Sequence, residues 1–220
     1  MCYGLKPEGS AMVTWPILFE ACMEAFNGLV ALAVGYYAFR GYRLFSSRNL
    51  FLLHLSFILQ GAGMLTHSMA KIHFLVAGLS SRVPPKLIRE VLLSKIYIVY
   101  FATLLAGYLI LIYAHLVQSR KPHYAIFFPL LREYAPETEA ILFLASIVLT
   151  GFSYSNYGVR RDRNSLFVFL GFLFISLSHL ILFAIPNIKL IPFSTILRVA
   201  GFLCFLSMLV RVKRAGTAEV

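Results

Sequence analysis

The sequence has little charge, and acidic residues are especially scarce. Charged residues make up 13% of the 220, hydrophobic ones 60%, and the mean hydropathy is +0.80. Soluble domains carry about 25% charged residues, so this balance excludes an ordinary soluble domain. We expect a multi-pass protein of the cell membrane whose first partner is the lipid bilayer.

Cysteine and enzyme motifs are also lacking. The three cysteines, Cys2, Cys22 and Cys204, are too few and too far apart for a disulfide framework or a cysteine-based metal site. No GxSxG, HExxH or P-loop pattern occurs. We therefore expect a non-enzymatic protein without a resident metal.

What the sequence has is long apolar runs without the period-two alternation of barrel strands. A helix rises about 1.5 Å per residue, so about 20 apolar residues cross the hydrocarbon core of a bilayer. Six runs meet that length: 17–39, 50–69, 96–117, 141–157, 166–185 and 193–210. The predicted fold class is an all-α membrane bundle.

Four basic clusters indicate how the chain is oriented. They are Arg40, Arg43 and Arg48; Arg120 and Lys121; Arg160, Arg161 and Arg163; and Arg211, Lys213 and Arg214. Loops rich in Lys and Arg stay in the cytoplasm, which places the N-terminus outside and the C-terminus inside. The excess positive charge thus belongs to a membrane orientation, and no nucleic-acid partner is expected, because no nucleic-acid-binding motif accompanies it.

Keeping all four clusters on one side requires a seventh crossing. Only one of the six clear runs lies between the second and third clusters, whereas an even number is needed. The candidate is 122–136, a short apolar segment that contains Pro129. It is either a short helix packed against protein or a re-entrant hairpin in a six-helix protein.

An internal repeat favours the helix. Shifting the sequence by 115 residues aligns Glu24 with Glu139 and Arg48-Asn49 with Arg163-Asn164. The prediction is a single membrane domain, 1–220, with a first repeat at 17–121, a linker helix at 122–136 and a second, parallel repeat at 137–214. Seven transmembrane helices then follow a 3+1+3 plan.

The segment YYAFRGYR, followed by an LxF-containing helix, resembles sensor-like seven-helix membrane proteins of prokaryotes. The 3+1+3 plan is similar to that of SWEET transporters, which have parallel repeats, and of microbial rhodopsins. The chain has no Pro-Gln pair of the SWEET kind and no lysine in its last helix where a rhodopsin holds retinal. The resemblance therefore implies a fold and no site residues.

Polar residues inside the spans predict a ligand or proton site in the outer half of the bundle. Ionisable side chains are expensive in a membrane and often mark functional sites. The candidates are Glu24, Gln60, His67, His179 and Arg198, with a direct Glu24–Arg198 pair expected. The ligand is an unspecified small molecule, and the alternative is a purely structural role in helix packing.

Histidines allow a second interpretation. His54 and His115 are predicted at one depth and His67 and His179 at another, as in bis-histidine haem b sites. His54 and His67, however, are 13 residues apart, which places them about 140° apart around one helix. The sequence thus predicts a receptor-like, transporter-like or complex-forming subunit, with other membrane subunits as partners. The alternative is a b-type cytochrome subunit.

Overall fold

A computed structural model describes residues 8–80, 94–119, 136–185 and 190–217. This part of the chain is all-α, as predicted. Its six helices are α1 (Glu8–Phe45), α2 (Arg48–Ser80), α3 (Ser94–Ser119), α4 (Pro136–Arg160), α5 (Arg163–Ala184) and α6 (Ile191–Thr217).

Each of the six helices is long and apolar enough to cross a membrane. Large apolar side chains such as Leu29 and Leu144 point outward, where lipid can cover them. Six such helices are those of a multi-pass membrane protein. The seventh helix predicted at 122–136 falls on residues 120–135, which lie outside the described residues, while Pro136 begins α4.

One predicted boundary was wrong in a way that affects the site. The second apolar run was predicted to end at residue 69, but α2 continues to Ser80. Residues 70–80 contain no proline, so no residue forces the helix to end there. Lys71, which lies beyond the predicted run, is therefore part of a helix of the bundle.

The helices form a closed ring in chain order, because each packs against the next and α6 packs against α1. Consecutive helices α1 and α2 are antiparallel, since Ser68 near the end of α2 donates to the carbonyl of Ala21 near the start of α1 at 2.6 Å. Helices α2 and α3 are antiparallel too, because Ser56 donates to the carbonyl of Gly107 at 2.9 Å.

Helices α3 and α4 run in the same direction. The hydroxyl of Tyr97 near the start of α3 lies 2.8 Å from that of Thr138 near the start of α4. Near the other end, the ring of His115 stacks on Phe152 with centroids 5.8 Å apart. Ser119 and Pro136 therefore lie at opposite ends of the described bundle.

The six helices thus run up, down, up and again up, down, up, because α4, α5 and α6 alternate as α1 to α3 do. Thr150 of α4 meets Ser176 of α5 at 2.9 Å, and Ser178 of α5 meets Ser194 of α6 at 2.9 Å. We refer to α1–α3 as the first unit and to α4–α6 as the second unit.

The two ends of the bundle differ in charge. The arginine end is where α2 and α5 begin, and the glutamate end is where α1, α3, α4 and α6 begin. The arginine end carries Arg40, Arg43, Arg48, Arg160, Arg161, Arg163 and Arg211. The glutamate end carries Glu20, Glu24, Glu137 and Glu139. Three of the four basic clusters thus lie together; the fourth, Arg120 and Lys121, lies outside the described residues.

The helix–helix turns of the two units have the same geometry at the same spacing. Ser46 and Arg161 are 115 positions apart, and both have left-handed backbone angles, φ 49° and φ 51°. Each amide donates four residues back, to Tyr42 at 2.7 Å and to Tyr157 at 2.8 Å. In the second turn Asp162 caps α5 by accepting from the Ser165 amide at 2.7 Å. Hydrogen bonds from Ser165 hold the pKa of Asp162 below its usual value.

Aromatic side chains fill the core between the site described below and the arginine end. Phe205 contacts Phe57 and Phe172 with ring centroids 5.4 and 4.8 Å apart. Phe57 also contacts Phe202. We call these four residues the aromatic layer. All four are at most 3% exposed, so they form a closely packed layer of α2, α5 and α6 on the arginine-end side of the site.

Candidate functional site

A buried ion cluster joins α1 and α2 at the glutamate end. Nδ1 of His67 lies 3.0 Å from Oε1 of Glu24 and 3.0 Å from its Oε2. Nζ of Lys71 lies 3.1 Å from Oε2 of Glu24 and 2.9 Å from Oε1 of Glu20. His67 and Lys71 are four residues apart on α2, so one face of the helix presents both to Glu24.

A second carboxylate–imidazole pair joins α4 and α5. Nδ1 of His179 lies 2.7 Å from Oε2 of Glu139, and Nε2 lies 3.1 Å from the hydroxyl of Tyr108 on α3. Both ring nitrogens of His179 are therefore hydrogen-bonded. Its side chain is fully buried, and the contacts fix both the position and the tilt of the ring.

Tyrosine and arginine connect the two pairs. The ring of Tyr100 on α3 stacks on His67 with centroids 4.4 Å apart. Its hydroxyl accepts a hydrogen bond from a terminal nitrogen of Arg198 on α6 at 2.8 Å. The guanidinium of Arg198 is close enough to Glu24 and Glu139 to interact with both charges. One polar network thus includes side chains from all six helices.

The network has more acids than permanent cations. Its ionisable groups are Glu20 and Glu24 of α1, His67 and Lys71 of α2, Tyr97, Tyr100 and Tyr108 of α3, Glu139 of α4, His179 of α5 and Arg198 of α6. Among the described residues of the network, three carboxylates face two permanent cations, which leaves one negative charge when both histidines are neutral. A single added proton balances the interior, and histidine is the side chain that takes up protons near neutral pH.

The structure brings together four of the five residues that the sequence proposed. Glu24, His67, His179 and Arg198 belong to the network, and the first three are at most 4% exposed. Gln60 is buried as well, but its Nε2 donates to Ser56 at 3.0 Å, two turns of α2 below His67. Its amide contributes to α2–α3 packing instead of joining the network.

The predicted direct Glu24–Arg198 pair was wrong. Arg198 donates to Tyr100, while Glu24 pairs with His67 and Lys71. The reason is geometric: Lys71 lies on the neighbouring helix at the same depth as Glu24. The charge of Arg198 still acts electrostatically on Glu24.

One of the two histidine pairs of the haem alternative does not suit axial ligation. His54 directs Nδ1 to the carbonyl of Gly35 on α1 at 3.0 Å, whereas His115 stacks on Phe152 of α4, so these two rings point to different neighbours. Bis-histidine haem needs facing rings with a free nitrogen each. His179 has protein partners on both nitrogens, whereas His67 is held by Glu24 through Nδ1 alone. The His67–His179 pair therefore does not suit an iron, and haem at the His54–His115 pair stays a prediction.

Two buried side chains of the described residues retain unused hydrogen-bonding atoms. Neither amide atom of Asn27 has a partner among the described residues, although the residue is 1% exposed. The buried Nε of Arg198 also lacks a partner there. Buried polar atoms are nearly always paired with protein or with a bound molecule.

Sequence reasoning missed Lys71, Glu139 and the three tyrosines. The repeat supplied a signal for Glu139, because it is the residue that aligns with Glu24. For Lys71 the signal was its position four residues after His67. For the tyrosines there was none, since aromatic residues are common throughout membrane helices.

No protein-family model, curated protein or solved structure matches this chain. The chemistry of the site therefore rests on its own residues and distances.

Proposed function

We propose that the chain is a transporter-like membrane protein with seven crossings whose two units share a proton-binding site at the glutamate end. The observation that carries the proposal is the recurrence of a buried Glu–His pair, one in each unit, with Arg198 close enough to interact with the carboxylates of both. Ionisable groups held inside a membrane bundle are typical of proton and substrate pathways.

The parallel direction of α3 and α4 supports the seventh crossing. Ser119 and Glu137 lie at opposite ends of the bundle, so the chain between them returns from one end to the other. The basic residues then face the cytoplasm and the glutamate end faces outward, with the N-terminus outside.

The two units resemble each other in ways that support a duplication. Helix α1 ends at Phe45 and α4 at Arg160, while α2 begins at Arg48 and α5 at Arg163. Both pairs differ by the 115 positions that separate Glu24 from Glu139. Two up–down–up units in the same orientation form a parallel repeat, which is a transporter architecture.

Each Glu–His pair has the chemistry of a proton site. A buried carboxylate and imidazole in contact can share a proton, and its arrival changes the charge of the pair by one. Because the interior is poorly screened, that charge change acts on Arg198 and on the opposite unit. The stack of Tyr100 on His67 and its bond to Arg198 form a physical link between the units.

The position of the site also supports transport. The network reaches the glutamate end through Glu20 and Lys71. On its other side, the aromatic layer lies between the network and the arginine end. In alternating access, the repeats move against each other around a fixed site, which opens first to one side of the membrane and then to the other. A site closed towards the arginine end corresponds to the state that is open to the glutamate end.

Infrared difference spectra between acid and neutral pH test the proton site. We expect a histidine-imidazolium band at acid pH in the wild type that weakens in Glu24→Gln and in Glu139→Gln, because each variant removes the carboxylate that holds the protonated ring. Glu137→Gln is the matched control, because Glu137 is exposed and two residues from Glu139. A band that survives in the double variant Glu24→Gln/Glu139→Gln would reject the proposal.

Cysteine labelling in sealed vesicles tests the crossing separately. Single cysteines at Ser119 and Glu137 are expected to react from opposite sides, while those at Ser119 and Arg160 react from the same side. Labelling of Ser119 and Glu137 from one side would remove the seventh crossing.

A further inference from the structure

Asn27 is a buried amide with nothing to bind among the described residues. It is 1% exposed, and both Nδ2 and Oδ1 lack a hydrogen-bond partner. An amide in that state is expensive unless a bound molecule satisfies it. Asn27 lies three residues after Glu24 on α1, so it sits one turn deeper, between the ion cluster and the aromatic layer.

The direction of Asn27 follows from its neighbour in sequence. Gly28 faces α2, since a Cβ built there would lie 2.9 Å from Cγ of Leu65. Successive residues are 100° apart around a helix, so Asn27 lies to one side of the contact with α2. Because it is buried and α6 is the other neighbour of α1, its amide faces the interior between α1 and α6.

Arg198 supplies the second unused group from α6. Phe202, four residues later on the same face, contacts Phe57 of α2, so this face of α6 points into the bundle. Arg198 lies one turn above Phe202, towards the glutamate end. One terminal nitrogen donates to Tyr100, and the buried Nε has no partner among the described residues.

We propose that Asn27 and Arg198 form the binding site for a small monocarboxylate that carries a hydroxyl or ammonium group next to its carboxylate. Two donors, Nε of Arg198 and Nδ2 of Asn27, suit the carboxylate oxygens, and guanidinium is the cation that best matches carboxylate geometry. The acceptor Oδ1 of Asn27 suits the neighbouring hydroxyl or ammonium. This ligand therefore satisfies all three unused atoms.

The ligand proposal rests on the proposed proton site. A carboxylate adds a second negative charge to an interior that already has one in excess. Protons on the Glu24–His67 and Glu139–His179 pairs offset that charge, so ligand and protons favour each other's binding. Binding is thus expected to be tighter at acid than at neutral pH.

Binding of radiolabelled L-lactate to the full chain in detergent tests the site. We expect saturable binding that Asn27→Leu weakens by about tenfold or more, since an unreplaced hydrogen bond in a buried site is lost. Asn156→Leu is the matched control, because Asn156 is an exposed asparagine of α4. Propionate, which lacks the hydroxyl, and lactamide, which lacks the charge, are expected to compete poorly.

A stability readout separates a ligand site from a folding role. Without lactate, Asn27→Leu is expected to unfold at the same temperature as the wild type or a higher one, because the variant removes unpaired buried atoms. If the leucine side chain is too large for the position, Asn27→Ala replaces Asn27→Leu in both the unfolding and the binding measurements. A lower unfolding temperature together with unchanged lactate binding would show that Asn27 only holds the helices together, and would overturn the proposal.

Two outcomes distinguish the ligand from the proton site. No lactate binding at any pH, with the imidazolium band still dependent on Glu24 and Glu139, would reject the ligand and leave the proton site. Lactate binding that depends on Asn27 but not on pH would support the ligand site and contradict its coupling to protons.

Discussion

The two Glu–His pairs make the same contact in different surroundings. In both, a carboxylate oxygen meets Nδ1 of histidine, at 3.0 Å for Glu24–His67 and at 2.7 Å for Glu139–His179. The first pair shares its carboxylate with Lys71, whereas the second has Tyr108 on the other ring nitrogen.

The sequence accounts for this difference. Lys71 aligns with Pro186 in the second unit and Glu20 aligns with Ala135, so the second unit has neither partner. A permanent cation fixes the charge of the first pair, while a neutral hydroxyl leaves the second pair to respond to Arg198. The two pairs thus differ in their partners, and we call Glu24–His67, with its lysine, the anchored pair.

Removing the cation of the first pair should have the largest effect. Lys71→Met leaves Glu20 and Glu24 without their ammonium partner, and breaking a buried ion pair costs about 3–5 kcal/mol. Denaturant unfolding in detergent measures the loss. The control is Lys95→Met, an exposed lysine of α3. Adding Glu24→Gln to Lys71→Met should restore part of the stability; equal losses in Lys71→Met and Lys95→Met would contradict the anchored pair.

Breaking the second pair should have an intermediate effect. Glu139→Gln keeps the size of the side chain and loses the charged hydrogen bond to His179, which is worth about 1.5–3 kcal/mol. Glu137→Gln, at an exposed position, should change the free energy of unfolding by less than about 0.5 kcal/mol. If the two variants unfold alike, the Glu139–His179 contact does not stabilise the bundle.

Removing the tyrosine partner should have a smaller effect that is confined to the second pair. Tyr108→Phe deletes one neutral hydrogen bond to Nε2 of His179, worth about 0.5–1.5 kcal/mol. Histidine nitrogen NMR should show a changed His179 signal and an unchanged His67 signal. A change at both histidines of similar size would show that the two pairs are not distinct.

The smallest effect should come from the turns, where the units are most alike. Asp162→Ala removes the cap of α5 and should lower the unfolding temperature slightly, whereas Asp162→Asn, which can still cap, should not. Because folding lowers the pKa of Asp162, its contribution is present above the unfolded-state pKa and is lost as the pH falls through the folded-state pKa. An Ala variant that differs from wild type only at low pH would contradict this sign.

The class of fold could be predicted because apolar runs and arginine clusters are local features of the sequence. The same holds for the ends of α1 and α2, where Arg43 and Arg48 flank the turn. The inward direction of Lys71 could not be predicted, since a lysine near the end of a span is equally suited to a loop or to the membrane interface. The contacts of Tyr100 and Tyr108 depend on the ring order of the helices, which periodicity does not encode.

Proton uptake after a pH jump, counted with a pH-sensitive dye in weakly buffered detergent, tests most directly whether the two pairs form one proton site. The account predicts that Glu24→Gln and Glu139→Gln each lower the uptake, and that the double variant loses less than the sum of the two, because Arg198 couples the pairs. Glu137→Gln should match the wild type apart from its own carboxyl. Uptake in the double variant equal to that of Glu137→Gln would contradict the account.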